Sequence, residues 1–141
     1  MASKRIIVGV DGSVESKRAL EFAIELASSF NAHLIACHVI GKLTRAAEIG
    51  SADLDQYRTS VVQTFEEEWC KALDESGLRS QKITVDGNPV SSLMTIAEEE
   101  HADLLVLGSR RHTIESYLGS TSHHLIEHSP IPVVVVPPKS S

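Results

Sequence analysis

Residues 6–13 read IIVGVDGS. The opening apolar run through Val10 is β-branched and almost unbroken, the pattern of a strand covered on both faces. Asp11-Gly12-Ser13 then supplies a turn. Ser13 is placed to cap a following helix, and Glu15 sits against its first-turn amides. Leu20, Ala23, Ala27 and Phe30 recur at three- and four-residue spacing, which predicts an amphipathic helix to about Phe30. Residues 34–40, LIACHVI, read as a second buried strand. Strand, glycine turn, helix and buried strand form the opening unit of a parallel α/β sheet.

The rest of the chain repeats that unit. Residues 41–52 carry weak signals and read as a loop. From about Asp53, the residues Leu54, Tyr57, Val61, Phe65, Trp69 and Leu73 stand mostly four apart. They predict a long helix that ends before Gly77, a C-cap, and supplies core through its aromatic side chains. Residues 80–86 alternate, as expected of a strand near a sheet edge. Asn88 can cap the next helix, Pro89 suits its first turn, and Val90, Leu93, Ile96 and Ala97 line one face. Residues 102–107, ADLLVL, give a fourth strand, and 108–118 a loop rich in Ser, Arg and His. A helix over 119–128 stops at Ser129-Pro130, and 131–136, IPVVVV, is a fifth strand ended by Pro137-Pro138. Five strands alternating with four helical segments predict one α/β domain over 1–141: an open parallel sheet with helices on both faces. Pro132 favours an edge position for the last strand. A bare valine edge invites pairing, so a homodimer through 131–136 is expected.

Thirteen basic against nineteen acidic residues give a net charge of −6, with no basic stripe. That argues against nucleic acid as a partner. No run approaches the roughly 18 apolar residues of a membrane span. Neither a secretory leader nor a CxxC pair is visible, and Cys37 and Cys70 read as reduced, partly buried thiols. A cytoplasmic location is the expectation.

Open α/β sheets bind ligands beyond the carboxyl ends of their strands, where strand order reverses. Three segments fall there: Val10-Asp11-Gly12-Ser13, Gly108-Ser109-Arg110-Arg111, and Gly119-Ser120-Thr121. Each glycine alone is an ordinary turn residue. Together they offer close backbone approach, helix-start amides, hydroxyl donors and positive charge, the means of holding an anion or nucleotide. Asp11 suits a ribose hydroxyl, an adenine amino group or a metal beside phosphate. No GxGxxG follows the first strand and no GxxxxGK[ST] is present, which argues against dinucleotide enzymes and P-loop NTPases. His123, His124 and His128 read as a polar helix face rather than a metal site. His38 reads as a hydrogen-bonded sheet residue. No GxSxG elbow occurs, and no residue is assigned a catalytic role.

Three longer pieces carry a resemblance: IIVGVDGSVESKRALEFAIELA at 6–27, GNPVSSLMTIAEEEHADLLVLGSR at 87–110, and LGSTSHHLIEHSPIPVVVV at 118–136. In this order they resemble the universal stress protein family over nearly the whole chain. The resemblance implies an adenine nucleotide alpha hydrolase-like fold, strand order 3-2-1-4-5, and dimerisation through the last strand. It implies an adenine nucleotide, ATP or AMP, with Mg²⁺ accompanying ATP. Val10 and Asp11 would meet the base or ribose, and the backbone near Val39 the adenine. The family's phosphate motif is glycine, two residues, glycine, nine residues, then glycine with serine or threonine. Gly108, Ser109 and Arg110 fit its start, and Gly119, Ser120 and Thr121 its end. Arg111 stands where the second glycine is expected, and seven residues rather than nine separate it from Gly119. An arginine there either blocks close backbone approach or replaces amide contacts with charge. The function implied is a cytoplasmic stress-response regulator. A protein-interaction module without nucleotide, acting on unidentified protein partners, and a weak ATP hydrolase are the alternatives.

Overall fold

A computed structural model describes residues 4–41, 51–109 and 120–137 of the chain. Its five strands are β1 (Arg5–Gly9), β2 (His33–Ile40), β3 (Ser80–Asp86), β4 (Leu104–Gly108) and β5 (Val133–Val136). All pair in parallel, in the order β3-β2-β1-β4-β5. The helices are α1 (Val14–Phe30), α2 (Ser51–Thr64), α3 (Lys71–Ser76), α4 (Pro89–Glu99) and α5 (Ser120–His128). One turn of π-helix, Phe65–Trp69, joins α2 to α3.

Strand alternation sorts the core into two layers. Ile6 and Val8 of β1, Val106 of β4 and Val136 of β5 point to the face covered by α1, the π-turn and α3. Ile7, Leu105 and Leu107 point to the other, against Leu93, Ile96 and Ala97 of α4 and Leu125 of α5. Small residues let α1 lie close to the sheet: Ala19, Ala23 and Ala27 are all fully buried.

The helix ends follow local chemistry. Ser13 caps α1 by accepting from the Ser16 amide at 3.1 Å. Asn88 caps α4, accepting from the Val90 and Ser91 amides, and Pro89 takes the first helical position. Gly77 ends α3 at φ 74°. Asn31 ends α1 in the left-handed region at φ 54°.

Three expectations change. The long second helix is interrupted: the Cys70 amide bonds back to the Phe65 carbonyl at 3.1 Å, five residues away. Four-residue steps drift about 40° each around an α-helix, and the wider π-turn absorbs that drift so that Phe65, Cys70 and Leu73 stay buried. Tyr57 and Phe30, counted with the apolar faces, are 50% and 58% exposed. Phe30 is the last residue before Asn31 turns the chain out of the layer, and α2 is mostly solvated before the π-turn. The last strand begins at Val133, because Ser129 hydrogen-bonds both the amide and the carbonyl of Ile131 and holds it in a bend. Of the loop expected at 41–52, residues 42–50 lie outside the described residues, and Ser51 already begins α2.

Phe65 is completely buried. Phe65→Ala should lower the unfolding free energy by about 3–5 kcal/mol, whereas Tyr57→Ala should stay within about 0.5 kcal/mol of the parent. Urea unfolding of the two variants checks the pair.

Candidate functional site at the carboxyl edge of the sheet

Strand order reverses between β1 and β4, the central pair. Val8 is level with Val106 in their parallel register, so two residues further on Val10 stands level with Gly108. The first two candidate segments therefore meet side by side at the switch point.

The turn after β1 is held on every side. The Val10 amide donates to the Cys37 carbonyl at 2.8 Å, continuing the ladder past its last pair. His38 Nδ1 lies 2.8 Å from the Val10 carbonyl. A carbonyl only accepts, so the proton sits on Nδ1. The Asp11 amide donates to the Ser16 hydroxyl at 3.2 Å, and the Asp11 carboxylate accepts from the Ser13 amide at 2.9 Å. Val10 is buried in the core while Asp11 is exposed at the mouth of the turn. Gly12, which follows Asp11, takes φ +84°, and a Cβ there would lie 2.5 Å from the Trp69 ring.

Gly108 closes the other side. A Cβ on it would lie 2.4 Å from the Glu15 carbonyl oxygen, so only glycine lets the first turn of α1 rest on the end of β4. The next residue, Ser109, is buried, and its amide donates to the Val136 carbonyl at 2.9 Å. Thr121 is half-buried in the first turn of α5. Ser122, one residue on, is buried with its hydroxyl 3.5 Å from the Gly108 carbonyl, which brings the start of α5 to the end of β4. Val39 is half-buried on β2, paired with Val85, and packs on the α4 side of the sheet. Ser120 begins α5. Arg110, Arg111 and Gly119 lie outside the described residues.

A cleft of about 460 Å³ opens beside the same turn, lined by Gly12, Ser13, Lys17, Leu20, Trp69 and Lys71 among others. It does not reach Gly108, Ser109 or Thr121. Cleft and sheet edge are thus two places that share one turn. The thiols offer no nucleophile: burial pushes Cys37 up to about 12 and Cys70 up to about 11. No cluster of three metal-ligating side chains occurs among the described residues. Nor is any described helix long and apolar enough to cross a membrane.

This arrangement has relatives. A model described as the Universal stress protein family matches residues 2–137. The chain belongs to that family. It is 30% identical to the universal stress protein YxiE of Bacillus subtilis, covering 94% of this chain and 97% of the relative. Protein MJ0577 of Methanocaldococcus jannaschii has a solved structure that superposes over all of both chains, with a TM-score of 0.84 at 28% identity. A universal stress protein solved in complex with cAMP matches at 27% identity and a TM-score of 0.74, covering 96% of this chain and 98% of that one. The strand order of this sheet is the one that the family resemblance implies.

Sequence reasoning singled out the backbone turns and missed the side chains that hold them. His38, read as a hydrogen-bonded sheet residue, is such a residue, with the Val10 carbonyl as its partner, whereas Trp69, counted only as core, also lies against Gly12 of the turn. Ser16 was not singled out at all. A serine three residues after a Ser cap was the available signal for it.

Gly108→Ala should cost about 1–3 kcal/mol, because the atom it meets is backbone and cannot swing away. Gly41→Ala, with nothing within 4 Å of the added carbon, is the control and should change stability little. Thermal unfolding of both variants measures the difference.

Proposed function

We propose that this universal stress protein is a cytoplasmic stress-response regulator that binds an adenine nucleotide, ATP or AMP, across the ends of β1 and β4. The observation that carries the reading is the meeting of two features at the switch point. The exposed Asp11 carboxylate follows the end of β1, and the Gly108-Ser109 end of β4 leads towards the start of α5. Asp11 can accept from a ribose hydroxyl or an adenine amino group. The amides that open α5 suit phosphate, with Gly119, Ser120 and Thr121 as their source. Arg110 and Arg111 add charge where the family's glycine would have added amides. The cAMP complex of a relative at 27% identity supports an adenine ligand in this fold. When ATP is the ligand, Mg²⁺ would accompany its phosphates.

Hydrolysis is not part of the reading. Phosphoryl transfer to water needs a group that orients the water, and Asp11, the acidic group at the site, is assigned to the nucleoside end.

The same reading includes a homodimer through β5. This strand is paired with β4 alone within the sheet, at its edge. Four consecutive valines would leave that edge prone to uncontrolled association. Pairing with a second β5 would cover it. Arg18 of α1 donates to the Pro137 carbonyl, just beyond the end of the strand.

Two measurements test the reading. Titration calorimetry with ATP, ADP and AMP should give saturable binding, weakened about tenfold or more by Asp11→Ala. No binding heat at several temperatures would reject the nucleotide site in favour of an interaction module. Light scattering during size exclusion should give twice the 15.3 kDa chain mass. A monomer at micromolar concentration would reject the β5 dimer.

A further inference from the structure

The ligand turn is built from the front by its own residues and from behind by two side chains that never join the sheet edge. His38 is buried, and its ring donates to the Val10 carbonyl. Trp69 meets that imidazole edge-on at 5.1 Å and 76°. The same indole lies against the Gly12 backbone, with two ring carbons 2.5 Å from where a Cβ would stand. Phe65 closes the group, 5.7 Å from His38 and 6.5 Å from Trp69. Phe65 and Trp69 are the first and last residues of the π-turn.

The π-turn is itself anchored. Lys82 of β3 donates to the Glu66 carbonyl at 3.0 Å and pairs with Asp74 of α3 at 2.7 Å. These contacts link the edge strand, through the π-turn, to the back of the Asp11 turn. Gly12 needs such support. Glycine loses more conformational freedom on ordering than any other residue, and at φ +84° its own sequence does little to hold it. Such π-turns within helices occur often at functional sites, where a side chain must be displaced from the regular register.

We propose that Trp69 and His38 are positioning residues for the nucleotide turn: the indole fixes Gly12, the imidazole fixes the Val10 carbonyl, and the π-turn sets both. The proposal rests on the nucleotide reading for its consequence, but its mechanical part stands apart from it. Neither residue touches the ligand. Each acts through the backbone on which Asp11 is mounted. His38 serves with its Nδ1–H, which both the neutral and the protonated ring retain, so the hydrogen bond does not require a charge.

The experiment combines amide hydrogen exchange of the unliganded protein with calorimetry of ATP and AMP, on Trp69→Phe, Trp69→Ala, His38→Gln and His38→Leu. In Trp69→Ala and His38→Leu, exchange at Asp11, Gly12 and Ser13 should rise by about tenfold or more, while Ile7 and Val8 keep their protection. Nucleotide binding should weaken by a similar factor. His38→Gln, which can still donate to the carbonyl, should restore both readouts most of the way, and Trp69→Phe should fall between. Turn exchange that rises only in step with Ile7 and Val8 would overturn the proposal, since the residues would then serve general stability. Loosened turns with unchanged binding in a parent that binds nucleotide would overturn it as well. A parent that binds no nucleotide removes the nucleotide reading, and the exchange pattern alone then decides whether these residues position the turn.

Discussion

The first turn of α1 rests on the end of β4 with no room for a single added carbon. The Glu15 carbonyl occupies the space that any side chain at Gly108 would need. That contact sets how far the helix can descend toward the sheet and hence where the Asp11 turn sits. It also holds the end of β4 against the first turn of α1, so that this junction is shaped by backbone rather than by adaptable side chains. A backbone-to-backbone contact of this kind has little freedom to repack.

The two ends of the sheet are built differently. At the amino end, Arg5 forms an ion pair with Glu100 at 2.8 Å and also donates to its carbonyl, while the Arg5 amide bonds the Asp103 carboxylate. Gln81 of β3 reaches the same Glu100 side chain. Side-chain contacts thus fasten β1, β3 and α4 there. At the carboxyl end, hydrogen bonds within the turn join Asp11, Ser13 and Ser16, while the Cys37 carbonyl and the His38 ring hold Val10 from β2. The amino end is thus joined by side chains of distant elements, and the carboxyl end by a local turn network backed by β2.

Much of this was legible in the sequence because it is local. Ser13, Asn88 with Pro89, and Gly77 act within a few residues of themselves, and each sits where its cap chemistry placed it. The strands were legible because burial on both faces leaves runs such as IIVGV and LLVL with little polar interruption. The π-turn was present only as an excess of four-residue steps from Val61 to Leu73, a signal that a regular helix nearly mimics. The positioning roles of Trp69 and His38 were not legible. Their partners, Gly12 and Val10, lie 57 and 28 positions away in sequence, and only the packed layers bring them together. Phe30 and Tyr57 misled for the opposite reason: helical periodicity extends beyond the packed stretch, past its end at Phe30 and ahead of its start at Tyr57.

The chain contains one tryptophan, and its indole lies on the turn that carries Asp11. An imidazole stands edge-on to it at 5.1 Å, and the ring is only partly shielded from solvent. Indole emission depends on local polarity and on nearby groups able to accept excited-state energy or charge. All tryptophan emission from this protein therefore originates beside the Asp11 turn, undiluted by any second indole. The fold carries an optical reporter of that turn, readable in unlabelled protein.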